Sequence, residues 1–383
     1  MPEATGANRP GLPPPERRLG QGEDGVLVRV HAPGRVNLIG DHTDYAGGWV
    51  LPMAIDRGTT IEFRRSGNKV ELVSSAEPGA VSLDLPGGRA DRERVARPAD
   101  ATGRAGWGRY AAGVLATYPG ARGGLGVVHS DLPIGAGLSS SSSLTVALAL
   151  AVGFEGAALE LAQLCQEAET LGSGVPGGIM DQLCSAAGRP GHALLIDCTS
   201  LDVQAVPLPP SAEVLVGHSG QPRTLVGSAY ADRRHDCELA AAQIGPLRNA
   251  TEADVGGLSD ARLRRRARHV VTENARVLEA AAALGHGDLA RTGRLMDESH
   301  RSLAEDFDVS TPALDGLART FRGLPGVFGA RLTGAGFGGC VVALAEAGTA
   351  ERLAGLELPG PAWLVQASAG ASVEVLSRLA AQR

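Results

Sequence analysis

The chain has 383 residues, 43% hydrophobic but only 3% aromatic, which is room for two domains with cores built from Ala, Leu and Val rather than rings. A formal net charge of −6 gives no reason to expect nucleic acid or an anionic membrane as a partner. Lys69 is the only lysine, so no Gly-x-x-x-x-Gly-Lys-Ser/Thr phosphate loop exists.

Residues 1–25 are rich in Pro, Gly and charge without an apolar core. They read as a disordered or adherent tail, neither a signal peptide nor a membrane anchor. Residues 26–72 read as short strands, VLVRVHAP, GWVLPMAI, TTIEFRRS and NKVELVSS. Between the first two lies GRVNLIGDHTDY, Gly34 to Tyr45, expected as a turn that carries Arg35, Asp41, His42 and Asp44. Charge this dense between apolar segments serves a ligand. An Arg beside carboxylates and an imidazole suits a polyhydroxylated, anionic or phosphorylated one.

A helix is expected over WGRYAAGVLATY and a strand over GLGVVHS. DLPIGAGLSSSSS then reads as a loop and LTVALALAVGF as a buried helix, too short to span a membrane. In that loop, glycines let the backbone approach a ligand closely, and the helix behind offers unpaired N–H groups and a positive dipole end. Serine hydroxyls add donors and can ligate Mg²⁺. The alternative, a flexible linker, fits poorly with so abrupt a helix start at Leu144.

A second helix is expected from Ala157 to Leu171, then a glycine loop, then Ile179-Met180-Asp181. Glu169 and Asp181 flank this loop. An Asp in apolar surroundings is either a helix cap or a catalytic group. HALLIDCTS is a strand, and Pro207, Pro209 and Pro210 mark a boundary that divides the chain into 26–206 and 207–383.

Beyond it, EVLVGHS is a strand and Tyr230 to Ala241 begins a helix. Ala261 to Leu284 and Asp288 to Leu303 are amphipathic helices closed by Pro312, and the basic run Arg262 to Arg268 is a solvated helix face. VFGARLTG, CVVALAE and AWLVQAS are strands around Gly334 to Gly339, and Val373 to Ala381 is a last helix. The glycine run satisfies Gly-x-Gly-x-x-Gly, but a strand follows it where a dinucleotide fold needs a helix. A hairpin packed on a ligand or on another backbone suits it, as does a tight turn without a ligand. The five cysteines form no Cys-x-x-Cys pair, which argues against structural zinc and a disulfide framework and for a reduced cytoplasm. The mixture of strands and helices without repeats fits an α+β or mixed α/β protein.

Taken together, GRVNLIGDHTDY, PIGAGLSSSS, GVPGGIMDQ and GARLTGAGFGGC resemble the GHMP kinases, in this order and spacing. The first motif is similar to that of the galactokinase-like sugar kinases. The resemblance implies a two-domain fold with the active site in the cleft between the domains. It implies transfer of phosphate from ATP to the anomeric hydroxyl of galactose. A monomer in the cytoplasm is expected. Arg35 and Asp181 would lie nearest the transferred group. Asp41, His42, Asp44, Gly178, Asp181 and Tyr230 would hold the sugar with Arg35. Gly135, Ala136, Gly137, Leu138, Ser139, Ser140 and Ser141 would wrap the ATP phosphates. Mg²⁺ would sit on Ser141 and Glu169.

Asp41 departs from the Glu usual in the family, one methylene longer. A hydrogen bond lost there would cost about 0.5–1.5 kcal/mol. That departure leaves a 1-kinase for a related sugar (arabinose, N-acetylgalactosamine, galacturonate) as an alternative, beside a non-catalytic sugar and ATP sensor. Ser142 stands where Ala is usual and Gly177 where Cys is common, both without consequence for the phosphate loop.

Overall fold

A computed structural model describes residues 25–85, 106–133, 135–222 and 226–377. The tail expected over 1–25 therefore lies, but for Gly25, outside the described residues. Two long antiparallel strands, β1 (Val26–Ile39) and β2 (Trp49–Arg65), organise the first sheet. Its other strands are β3 (Lys69–Ser74), β4 (Ala80–Asp84), β5 (Gly124–Ser130), β6 (His192–Asp197), β7 (Val203–Pro207) and, from the far end of the chain, β12 (Ser372–Ser377). The order is β12-β1-β2-β5-β3-β4, with β6 joining β2 and β7 joining β6.

Alternation decides how β1 begins. Val28, Val30 and Ala32 point inward and Arg29 outward. With Ile61 and Phe63 of β2 they pack against α1 (Gly108–Thr117), α2 (Ser140–Ala151) and α3 (Ala158–Ser173). The strand then passes into a second core, where Val36, Leu38 and Ile39 meet Leu51, Met53 and Ile55 of β2. The register shifts between Pro33 and Arg35, and a Cβ on Gly34 would stand 2.6 Å from the Leu138 carbonyl oxygen. Glycine thus lets β1 run flush against the Gly135 to Ser141 loop, and the bulge re-aims Arg35.

The second sheet is antiparallel, in the order β11 (Ala362–Val365), β8 (Ala212–His218), β10 (Cys340–Glu346), β9 (Val327–Leu332). Around it lie α5 (Val226–Ile244), α6 (Glu252–Gly256), α7 (Ala261–Gly285), α8 (Leu289–Glu305) and α9 (Pro312–Arg322). The boundary expected after residue 206 falls at the end of β7, while β12 returns to the edge of the first sheet.

Several expectations are corrected. Gly34 to Ile39 is strand, and only from Gly40 does the chain turn, because the apolar residues at 36, 38 and 39 are claimed by the core. GWVLPMAI and TTIEFRRS are one strand. The buried helix starts at Ser140, since the small serines fit its first turn. Pro312 opens a helix, with the Thr311 hydroxyl accepting from the Leu314 N–H at 3.3 Å. The helix expected from Val373 is strand as far as Ser377, paired with β1, and 378–381 lie outside the described residues. Arg266 is not solvated: it is 3% exposed and bonds to the Asp306 carbonyl at 2.5 Å.

Candidate active site

A cleft of about 720 Å³ gathers most of the motif residues. At its floor, Arg35 grips Asp181 with two parallel bonds, Nε to Oδ1 at 2.7 Å and Nη2 to Oδ2 at 2.6 Å. Its remaining nitrogen, Nη1, donates to the Gly137 carbonyl at 2.6 Å. Burial works against the Arg35 charge, but Asp181 and Asp41 outweigh it and the pKa is raised. Within the pair, the Arg35 side chain is 5% exposed and that of Asp181 25%, so the carboxylate is the member that faces the cleft. Asp181 lies in the first turn of α4 (Met180–Ala187), held by its apolar neighbours Met180 and Leu183. Its side chain is not the helix cap and meets Arg35 instead.

The Gly135 to Ser141 loop closes over this pair. Gly135 and Gly137 have φ of 71° and 84°, and Ser139 has φ of 62° although it has a side chain. Such strain is held by surrounding structure and clusters at functional sites. Here the Ser139 hydroxyl donates to Asp181 Oδ2 at 2.5 Å, which fixes the residue in place. Ala136 and Leu138 are buried in the core and anchor the loop there. Gly135, Gly137, Ser140 and Ser141 line the cleft at the N-terminus of α2.

Behind the loop, Glu169 accepts from Ser141 Oγ at 2.5 Å, Ser142 Oγ at 2.7 Å and Gln182 Nε2 at 2.8 Å. Burial raises its pKa, with the serines acting in the opposite direction. A half-buried carboxylate disfavoured as an anion and paired with a hydroxyl is a donor set that a hard cation would satisfy. Mg²⁺ takes one or two such ligands and completes its shell with phosphate and water. Among the described residues no cluster of three His, Cys, Asp or Glu side chains could hold a metal alone.

On the other side of Asp181 the turn presents Asp44. Burial, and then the nearby Asp181 carboxylate, raises its pKa to about 7. Gly178 packs directly on this carboxylate, and any Cβ there would collide with Asp44 Oδ2. Tyr230 and Gly178 both line this side of the cleft. The Tyr230 ring meets Tyr45 edge-on at 5.6 Å and lies 5.7 Å from His42. His42, at φ 68°, places Nδ1 3.0 Å from the Tyr45 hydroxyl and Nε2 3.1 Å from the Ala335 carbonyl, with its ring 4.7 Å from Phe307. His42 therefore offers ring surface to the cleft while its nitrogens bind protein.

Asp41 stands apart. It is 2% exposed, with Oδ1 accepting from the Gly334 N–H at 2.9 Å and Oδ2 2.7 Å from Arg331. Burial pushes its pKa up against the pull of Arg331 and Arg35. The sequence reading missed Arg331, Gln182, the contact of Ser142 with Glu169, and the far end of the cleft, lined by Trp107, Arg109, Tyr110 and Glu77. Gln182 and Arg331 sit inside the quoted motifs, which was the available signal.

The chain is similar to known proteins along most of its length. A galactokinase galactose-binding signature matches residues 18–65, the GHMP kinases N terminal domain residues 109–189, and the GHMP kinases C terminal residues 280–355. The chain is 44% identical over 347 residues to a galactokinase of Roseiflexus sp., covering 85% of each. It is 44% identical to the galactokinase of Homo sapiens, covering 84% of this chain and 85% of that one. A crystal structure of Lactococcus lactis galactokinase complexed with galactose superposes with a TM-score of 0.81 at 31% identity, covering 90% of this chain and 95% of that one. A mevalonate kinase shares the fold at 20% identity and a TM-score of 0.62, covering 89% and 98%. The chain belongs to the galactokinase family of the GHMP kinases.

Proposed function

We propose that the protein transfers the γ-phosphoryl group of ATP to the anomeric hydroxyl of D-galactose, giving galactose 1-phosphate and ADP. The observation that carries this reading is that one carboxylate, Asp181, joins β1, the strand that leads into the sugar turn, through Arg35, to the phosphate loop, through Ser139. Its relatives named galactokinase supply the sugar.

Phosphoryl transfer demands positioning and charge neutralisation more than covalent chemistry. Asp181, as the exposed member of its pair, receives the proton of the attacking hydroxyl on a lone pair not used by Arg35 or Ser139. Arg35 has five N–H groups, of which three are committed; the rest face charge that develops on the transferred group. N–H groups of Gly135 to Ser141 and the α2 dipole hold the phosphates. Asp44, Gly178 and Tyr230 form the sugar wall, with His42 behind. Trp107 and Tyr110, at the far end, suit the nucleotide base. Ser141 and Glu169 would hold Mg²⁺, which when bound neutralises charge on the phosphates.

The reading extends to residues 26–206 and 207–383 as two domains around the cleft, and to a cytoplasmic monomer. Five free cysteines support a reducing compartment, and no helix among the described residues is long and apolar enough to cross a membrane. Purified protein is expected to form ADP and galactose 1-phosphate from D-galactose and MgATP. Asp181→Asn is expected to abolish turnover while nucleotide still binds; a near-normal rate would remove Asp181 from the chemistry.

A further inference from the structure

A fully buried group of charges lies next to the sugar turn. Arg331, on β9, is 0% exposed, as is Glu273 on α7. Arg331 Nη2 lies 2.7 Å from Asp41 Oδ2 and 3.8 Å from Glu273 Oε1, and its Nη1 donates to the Asn37 carbonyl at 3.3 Å. Glu273 Oε1 accepts from the Gly40 N–H at 3.0 Å, and Oε2 lies 2.8 Å from Arg276. His269 Nε2 lies 3.1 Å from the Asp41 carbonyl. Every one of these contacts to 37–41 comes from the second half of the chain.

Within this network both oxygens of Asp41 are closed. Oδ1 is held by the Gly334 N–H, and Oδ2 is buried against Arg331. The charge contact with Arg331 is close but off the direction of a hydrogen bond, so Arg331 acts on Asp41 mainly by charge. Asp41 lines the cleft with almost no exposed surface, so a sugar hydroxyl would have to displace what covers it to reach either oxygen. The next residue after Gly334 is Ala335, whose carbonyl fixes the His42 ring in the cleft.

Resting on the galactose 1-kinase reading, we propose that Arg331 and Asp41 are positioning residues. They clamp the sugar turn onto the Gly334–Ala335 loop and so set the His42 ring, and Asp41 itself touches no sugar hydroxyl. The shorter side chain at 41 then has a role: its carboxylate stays within the buried charge network. A removed partner leaves the other buried and unpaired, so the clamp is rigid at the cost of tolerance.

The test pairs enzyme and substrate changes. kcat/KM is measured for wild type and Asp41→Asn with galactose and with its 2-, 3-, 4- and 6-deoxy analogues. The ratio of wild type to variant is expected to stay constant across the five sugars within about twofold, as for groups not in contact. A ratio that collapses towards unity for one deoxy sugar shows a direct contact and overturns the proposal. Arg331→Lys, which keeps the charge, carries the test should Asp41→Asn not fold. It is expected to raise the galactose KM about tenfold with the ATP KM and kcat little changed. A lowered melting temperature with an unchanged galactose KM would show a structural role alone and overturn it. Wild type inactive on galactose would sink the functional reading instead, a different result from either.

Discussion

Arg35 and Asp181, 146 positions apart in sequence, meet through two parallel bonds of 2.7 Å and 2.6 Å. A planar fork is needed for this, and an ammonium cannot reproduce it. Arg35→Lys is expected to keep the protein folded and to lower kcat about a hundredfold to a thousandfold, the effect of losing one preorganised donor. Steady-state kinetics with both substrates checks it; a kcat within about threefold of wild type would show that charge alone suffices.

Gly178 is determined by contact, since its own φ is unexceptional and a Cβ would strike the Asp44 carboxylate. Gly178→Ala is expected to push Asp44 aside and raise the galactose KM about tenfold or more, leaving the ATP KM unchanged. An equal rise in both would place the damage in the phosphate loop.

Asp44 introduces a pH dependence. Burial and then Asp181 raise its pKa to about 7 from an ordinary value of 3.8. Between those values the folded protein binds a proton that the unfolded chain has released. Stability contributed by this proton is therefore lost as pH rises from about 4 to about 7. An ionised Asp44 accepts sugar hydroxyls best, so the galactose KM is expected to rise as pH falls from about 8 to about 6. Asp44→Asn is expected to flatten that profile at a high KM and to raise the melting temperature near pH 8. A wild-type KM that is flat over this range would contradict the assignment.

Ser142 adds a donor to Glu169 where relatives were expected to have Ala, at 2.7 Å. Hydrogen bonds to charged groups are worth about 1.5–3 kcal/mol. Ser142→Ala is expected to leave Glu169 less fixed and to raise the Mg²⁺ concentration for half-maximal rate several-fold, and Glu169→Gln more so. Mn²⁺ binding to the nucleotide complex, followed by paramagnetic resonance, provides a readout apart from turnover. No change in either variant would remove Glu169 from the metal site.

Local chemistry was legible in the sequence. Arg35, Asp44, the glycines and serines of 135–141, and Asp181 declare themselves by density and by neighbours, and all reach one cleft. What was hidden depends on meetings across the chain. Asp41 looks like a sugar ligand beside His42 and Asp44, and only the fold brings Arg331 and Gly334 onto it. Ser142 looks like a neutral replacement until α3 sets Glu169 against it. The same limit applies to elements: the end of the chain carries a pattern that fits a helix, yet β1 has an open edge and takes Ser372–Ser377 as a strand.

The most direct test of the central reading is a sugar panel. Release of ADP from MgATP is measured with D-galactose, arabinose, N-acetylgalactosamine and galacturonate, and kcat/KM compared. D-galactose is expected to give the highest value, with galactose 1-phosphate as product. A higher kcat/KM for another sugar, or ligand binding without ADP release, would contradict it.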